Sequence, residues 1–133
     1  MNVVVVGCGR VGARLANTLD QSGHSVSIVD LQPSAFRRLS QDFSGQTVIG
    51  TGIDEDVLKA AGIEEADAFI AVTNGDNTNI MAAQIAQVVF NVPHVTARIY
   101  DPVREDTYRR MGINTICPTT TIASLIMSTI FST

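Results

Sequence analysis

The sequence lacks the building blocks of several protein classes. It contains no tryptophan, aromatic residues make up 5% of it, and two of its 133 residues are cysteine. A core without large aromatic rings must be assembled from valine, isoleucine, leucine and alanine, which is typical of α/β proteins with buried parallel strands. Hydrophobic residues reach 45%, which argues against disorder, and we expect one folded domain over residues 1–133.

Basic residues and long apolar runs are also scarce. Nine Lys and Arg stand against thirteen Asp and Glu, for a net charge of −4. Nucleic acid is not expected as a partner, because its phosphates require clustered cations. No stretch reaches the roughly 18 apolar residues of a membrane span, and the start lacks the basic region of a signal peptide. We therefore expect a cytoplasmic protein without direct membrane insertion.

Catalytic and metal-binding groups are few. His24 and His94 stand at the starts of predicted strands, away from the carboxyl ends where α/β sites form. Tyr100 and Tyr108 lack a lysine at the Tyr-x-x-x-Lys spacing. The two cysteines show no metal-binding spacing, and Cys8 lies where a disulfide would block a glycine loop, so two free thiols are expected. These absences favour a binding protein over an enzyme and predict no metal site.

Short apolar runs alternate with helical patterns along the chain. The predicted strands are 2–6, 24–30, 46–50, 66–73, 94–100 and 113–117. The predicted helices are 10–23, 33–43, 54–63, 76–90, 102–112 and 118–131. This alternation predicts an α/β fold of the Rossmann type, with a doubly wound parallel six-stranded sheet.

A glycine motif joins the first strand to the first helix. The stretch "VVVVGCGRVGARLA" places Gly7, Gly9 and Gly12 at G-x-G-x-x-G spacing. The first glycine permits the tight turn, the second lets backbone approach phosphates, and the third lets the helix pack on the sheet. Asp30 ends the second strand at the distance where an acid binds ribose hydroxyls. The motif and the acid together predict a nucleotide site.

Charged side chains near this site bear on the ligand. Asp30 would repel a 2′-phosphate, and neither Leu31 nor Gln32 supplies an arginine, so NAD(H) or an adenine nucleotide with a free 2′-hydroxyl is favoured over NADP. Arg10 indicates either the extra negative charge of ATP or ADP, or an ion pair at an interface. Arg98, in an otherwise apolar strand, requires a partner, which a bound phosphate or a neighbouring subunit would supply.

Two polar segments have less specific patterns. The stretch "IDEDV", 53–57, is read as a capped helix start with Asp54 at the N-cap. The stretch "TNGDNTN", 73–79, is either a polar loop that caps the next helix or a hydrogen-bonding rim for the distal half of a dinucleotide. Both readings of the second segment remain open at this point.

The last predicted helix has more apolar surface than a terminal helix should leave in water. Its large apolar side chains are Ile122, Leu125, Ile126, Met127, Ile130 and Phe131. Burial against a second copy would remove this surface from water, and a symmetric dimer is the commonest arrangement.

Three stretches together resemble a known family. They are "VVVVGCGRVGARLANTLDQSGHSVSIVD", "VIGTGIDEDVLKAAGIEEADAFIAVTNGDNTNI" and "VTARIYDP". They are similar to the RCK N-terminal domain (regulator of K⁺ conductance, also called the TrkA-N or KTN domain), found in cytosolic regulators of potassium channels and Trk/Ktr transporters. The resemblance covers essentially all residues in order.

The resemblance implies a fold, a ligand and partners. It implies a Rossmann-type domain that binds NAD(H), ATP or ADP, dimerises through a last helix that crosses to its neighbour, and assembles into gating rings. Its partner would be a membrane-embedded potassium channel or transporter subunit at the inner face of the cell membrane. The implied cofactor-binding residues are Gly7, Gly9, Arg10, Val11 and Gly12 for phosphate, Asp30 and Leu31 for ribose and its surroundings, Thr51 and Gly52 for adenine, Thr73 and Asn74 for the far side, and Arg98 for phosphate.

The chain departs from the family pattern in three places. Thr51 stands where the family commonly has an acid, and Thr119 follows Pro118 where a glutamate is frequent. The C-terminal RCK subdomain usual in the family is absent, so we expect a truncated or naturally short member. The leading hypothesis is a regulatory nucleotide sensor without catalysis. The alternative hypothesis is an NAD-dependent oxidoreductase or a fragment of one.

Overall fold

Six parallel strands form a single sheet in a computed structural model that describes residues 1–132. The strands are β1 (Asn2–Val6), β2 (Ser25–Asp30), β3 (Gln46–Ile49), β4 (Ala68–Ala71), β5 (His94–Arg98) and β6 (Asn114–Ile116). Their order is β3-β2-β1-β4-β5-β6. In this doubly wound order the direction of winding reverses between β1 and β4, and the predicted Rossmann-type fold class is confirmed.

Helices connect and flank the strands. They are α1 (Arg10–Gln21), a 3₁₀ helix (Pro33–Arg38), α2 (Glu55–Ala60), a second 3₁₀ helix (Ile63–Glu65), α3 (Asp76–Gln84), α4 (Pro102–Arg110) and α5 (Pro118–Phe131). The carboxylate of Asp54 accepts hydrogen bonds from the backbone N–H groups of Asp56 and Val57 at the start of α2, so the predicted N-cap is confirmed.

Two helix predictions were wrong in detail. The predicted helix 33–43 ends at Arg38 as a 3₁₀ helix, because the segment after it is hydrogen-bonded to α1. Asn17 Oδ1 accepts the Ser40 N–H at 2.9 Å, and the Asp20 carboxylate accepts the N–H and hydroxyl of Ser44 at 2.9 and 2.8 Å. The predicted helix 76–90 is α-helical only to Gln84 and continues as a π-helix over Ile85–Val89.

The sheet separates two apolar layers. Val4 and Val6 face the layer formed with α2 and α3, whereas Val3 and Val5 face the layer formed with α1. Residues on both faces of β1 are therefore buried, as the continuous apolar run predicted. In the second layer α1 buries only small residues, among them Ala13 and Ala16.

The α1 side of the sheet is less covered over β4, β5 and β6. Residues pointing away from α2 and α3 on these strands are half-buried or exposed, and Ile116 on the edge strand is 52% exposed. The helix α5 has no buried residue. The described residues thus leave α5 and one face of β4–β6 open to solvent. No helix in residues 1–132 is long and apolar enough to cross a lipid bilayer.

Candidate functional site

A cleft of about 520 Å³ opens at the carboxyl ends of β1, β2 and β4. This is where the winding of the sheet reverses, and ligands of doubly wound sheets bind at that position. Four separate segments contribute predicted site residues to its wall. Those residues are Gly7, Gly9, Asp30, Leu31, Thr51, Gly52, Thr73 and Asn74.

Close packing explains two of the three motif glycines. Gly7 has a φ of +105°, and a Cβ there would lie 2.8 Å from the Val72 carbonyl oxygen. A Cβ on Gly12 would lie 1.7 Å from the Gly7 carbonyl oxygen, so α1 packs directly on the loop. A Cβ on Gly9 would meet no protein atom within 4 Å. Gly9 therefore leaves open space in the cleft wall, where a ligand group fits.

The first turn of α1 faces this space with free donors. Gly9 is the N-cap and no side chain caps the helix. The first helical hydrogen bond runs from the Ala13 N–H to the Gly9 carbonyl at 2.9 Å, so the N–H groups of Arg10, Val11 and Gly12 have no intrahelical acceptor. Unpaired N–H groups and the positive end of the helix dipole form a site for an anion such as a phosphate.

Asp30 connects the glycine loop to β2. Its Oδ2 accepts the Cys8 N–H and its Oδ1 accepts the Gln32 N–H, both at 2.8 Å. A carboxylate offers about four acceptor positions, so roughly two remain available to hydroxyl groups in the cleft. Asp30 therefore fixes the shape of the loop and can also receive a ligand. The sequence pattern predicted only the second role.

Cys8 lies in the loop as an inert thiol. Its side chain is fully buried and donates to the Ala35 carbonyl at 3.3 Å. The pKa of Cys8 is raised to about 11, mainly by burial and also by the negative charge of Asp30. The positive charge of Arg38 offsets part of this increase. The thiolate is the reactive form of cysteine, so Cys8 is not a nucleophile near neutral pH.

A buried asparagine that was not predicted shapes the far wall of the cleft. Asn79 in α3 accepts the N–H and the hydroxyl of Thr73 at 2.9 and 2.6 Å. It donates to the carbonyls of Thr73 and Arg98 at 3.0 and 2.9 Å. Its amide thus holds the β4–α3 loop that lines the cleft. The signal was an asparagine at the start of the largely apolar stretch "NIMAAQIA", where a buried polar residue needs partners.

Three predicted site residues do not line the cleft with their side chains. Arg98 lies behind the loop, where its Nη2 donates to the carbonyls of Val72 and Thr73 at 2.7 and 3.1 Å. Arg10 and Val11 are exposed on the first turn of α1. Their backbone N–H groups lie in the first turn of α1, which follows Gly9 in the cleft wall. A phosphate contact by the Arg98 side chain stays a prediction.

The sequence of this chain matches a known domain family. The sequence model of the TrkA-N domain matches residues 3–119. The chain belongs to the TrkA-N domain family. The Trk system potassium uptake protein TrkA of Streptomyces coelicolor is 53% identical to this TrkA-N chain over 116 residues, which are 87% of the chain and 52% of the relative. The chain therefore spans about half the length of that relative. The resemblance found in the sequence is confirmed.

Solved structures share the fold of this TrkA-N chain. The Kef CTD of Shewanella denitrificans in its AMP-bound form superposes with a TM-score of 0.81 at 22% identity, over 100% of this chain and 83% of that one. The GsuK channel bound to NAD gives a TM-score of 0.73 at 21% identity, over 91% of this chain and 22% of that one.

Within residues 1–132, no group of three or more His, Cys, Asp or Glu side chains is placed to hold a metal ion.

Proposed function

We propose that residues 1–133 form one nucleotide-binding regulatory domain of a potassium uptake system or potassium channel, and that its ligand is NAD(H), ATP or ADP. The observation that carries the proposal is the open cradle at Gly9, bordered by the free N–H groups of α1 and by the Asp30 carboxylate. This combination suits a phosphate next to a ribose.

The cleft offers a place for each part of such a ligand. Phosphates would bind at the first turn of α1, and ribose hydroxyls would donate to the remaining acceptor positions of Asp30. Leu31, Thr51 and Gly52 border the side where adenine would lie, while Thr73 and Asn74 border the opposite side. The AMP and NAD in the two superposed structures support this class of ligand.

We propose sensing rather than catalysis. The described residues that line the cleft include no histidine, lysine or tyrosine, and the Cys8 thiol is neutral near pH 7. Hydride transfer in a dehydrogenase needs a proton donor or acceptor beside the cofactor. No observation in the cleft favours the alternative of an oxidoreductase.

Hydrogen bonds connect the ligand side of the cleft to the second half of the sheet. The Asp76 carboxylate, which begins α3 next to the cleft loop, accepts the N–H groups of Tyr100 and Asp101 at 2.8 and 3.2 Å. Asp101 caps α4. A ligand that binds one arrangement of this loop better than another would shift the equilibrium between them by that difference in binding free energy. The hydrogen bonds would carry the change to α4.

The expected partners follow from the surfaces and from the family. The exposed α5 and the partly open sheet face over β4–β6 would be covered by a second copy of the chain, which gives a homodimer and, with further contacts, a ring. The potassium uptake role of the Streptomyces relative supports a membrane-embedded potassium channel or transporter subunit as the target. The domain would then be cytoplasmic and peripheral to the inner face of the membrane.

Isothermal titration calorimetry with NAD⁺, NADH, ATP and ADP tests the ligand proposal. At least one of them should bind with a stoichiometry near one per chain. Failure of all four to bind at millimolar concentration would overturn it. Incubation of the NADH complex with candidate 2-oxo acids, and of the NAD⁺ complex with candidate 2-hydroxy acids, should leave the NADH absorbance unchanged, and a substrate-dependent change would restore the oxidoreductase hypothesis.

A further inference from the structure

A second hollow runs along α1 beside the cleft. It is lined by Arg10, Ala13, Arg14, Asn17, Thr18 and Arg38. Three of the nine Lys and Arg residues of the chain meet here, and none of the three forms an ion pair within residues 1–132. Like charges that share a groove repel one another, so the groove attracts an anion. Arg38 lines both this groove and the cleft.

Arg38 lies next to the carboxylate that would hold the ribose. The Cys8 N–H donates to Asp30 Oδ2 at 2.8 Å, and the Cys8 carbonyl accepts from Arg38 Nη1 at 3.4 Å. Asp30 and Arg38 therefore hold the two sides of one residue of the glycine loop. Both charges also act on the Cys8 thiol, whose pKa burial raises most, Asp30 raises and Arg38 lowers.

The two charges change what the ribose end of the cleft can accept. Asp30 is engaged by two backbone donors, which offset part of its negative charge. Arg38 is exposed and makes one long hydrogen bond, so most of its five N–H donors remain free. A guanidinium binds a phosphate through two parallel hydrogen bonds. The repulsion expected from Asp30 alone is thus countered by a guanidinium on the other side of Cys8.

We propose that Arg38 lets the cleft accept a phosphate on the adenosine ribose, so that the cleft binds NADP(H) in addition to NAD(H). This inference rests on the proposed nucleotide binding and names a specificity-determining residue within it. It removes the exclusion of NADP that the sequence alone predicted from Asp30. Arg38 follows Asp30 by eight residues, and only the short 3₁₀ helix after β2 brings it back to the cleft.

Arg37 provides a matched control. It is the preceding residue of the same 3₁₀ helix, carries the same charge and is exposed, but it lines neither the cleft nor the groove. Calorimetric titrations of the full chain with NAD⁺, NADP⁺, ADP and ATP would compare wild type, Arg38→Ala and Arg37→Ala. Circular dichroism would verify that each variant is folded.

The expected result separates the two dinucleotides. Wild type should bind NADP⁺ within about tenfold of NAD⁺. Arg38→Ala should weaken NADP⁺ by about tenfold or more, the size of a charge-assisted hydrogen bond, while NAD⁺ changes less than about threefold. Arg37→Ala should leave both affinities unchanged. Arg38→Lys should restore part of the NADP⁺ affinity, because it keeps the charge but loses the planar fork.

Other outcomes overturn the inference in distinguishable ways. Binding of NAD⁺ without NADP⁺ by wild type would refute it and leave the proposed function standing. An equal loss of NAD⁺ and NADP⁺ in Arg38→Ala would reduce Arg38 to a support of the glycine loop. A loss confined to ATP relative to ADP would place Arg38 at the end of a phosphate chain instead of at the ribose. Absence of binding by all four nucleotides would refute the inference together with the proposed function.

Discussion

Helices α1 and α5 are of similar length and have opposite surroundings. Both begin just after a strand, at the carboxyl edge of the sheet, and they contain 12 and 14 residues. The first buries Gly12, Ala13 and Ala16 against the sheet and directs its N-terminus into the cleft. The second buries nothing. Residues 1–132 therefore line the cleft by themselves but leave the last helix without a packing surface.

The exposed surface of α5 is large for a protein that stays in water. Six apolar side chains, each 52% to 72% exposed, occur within ten residues. Contiguous apolar patches of this kind mark interaction sites. The contrast with α1 indicates that the cleft is lined within one chain, whereas α5 would be buried only by contact with a surface outside residues 1–132.

The largest effect is expected from breaking the α5 surface. Replacing Ile126 and Ile130 together by Lys should convert the proposed homodimer to monomers, because two charges would have to be buried at the interface. The fold of each monomer should persist, since the two side chains are 52% and 63% exposed in the chain itself. Sedimentation velocity measures the change in mass.

The control adds the same charge to the same helix. Ser124→Lys with Ser128→Lys has the same four-residue spacing on exposed positions, outside the row of large apolar side chains. It should retain the native oligomer. A native sedimentation coefficient for the isoleucine variant would show that α5 is not the interface.

The sequence predicted the sheet well and the site only in part. Strands such as 2–6 are specified by local apolar runs, so their positions and the Gly7–Gly12 turn could be read directly. Asn79 and Arg38 were missed because their roles depend on contacts across 6 and 30 residues of sequence. The early end of the 3₁₀ helix was missed for a similar reason, since Asn17 and Asp20 in α1 hold the segment that follows it.

An intermediate effect is expected from two glycines that differ in packing. Gly12→Ala would place a methyl 1.7 Å from the Gly7 carbonyl oxygen, so α1 must move away from the loop. We expect a loss of about 2–4 kcal/mol in the free energy of unfolding from overpacking, against a gain of only about 1 kcal/mol from helix propensity. Denaturant unfolding measures the difference.

Gly9→Ala is the matched variant of that experiment. Its methyl would meet no protein atom within 4 Å, and its φ of −82° suits alanine. The free energy of unfolding should change by less than about 0.5 kcal/mol, while nucleotide affinity falls because the methyl occupies the cradle. If Gly9→Ala binds nucleotide as wild type does, the phosphate lies elsewhere. The N-terminus of α1 would then not be the phosphate site.

A smaller effect on stability than that of Gly12→Ala is expected from changing the carboxylate of Asp30, and this change separates the two roles of the residue. The sequence alone predicts that Asp30→Ala weakens nucleotide binding without disturbing the fold. The structure predicts an additional loss of about 1–3 kcal/mol in the free energy of unfolding, because the N–H groups of Cys8 and Gln32 lose their acceptor. Asp30→Asn keeps one acceptor oxygen and should lose about half as much. Both variants should weaken binding by about tenfold or more, since a charged acceptor for ribose is removed.

Asp42→Ala is the control for the loss of one negative charge, because Asp42 is exposed and should change neither stability nor binding. Chemical unfolding without ligand and calorimetry with NAD⁺ give the two quantities separately. If Asp30→Ala lost affinity with its unfolding free energy unchanged, the carboxylate would serve the ligand alone. If it lost stability with affinity unchanged, Asp30 would only fix the loop. A loss of both stability and affinity in Asp30→Ala, with Asp30→Asn between Asp30→Ala and wild type in stability, is expected of a residue that serves both the loop and the ribose. Nucleotide binding would then depend on the same glycine turn on which α1 packs.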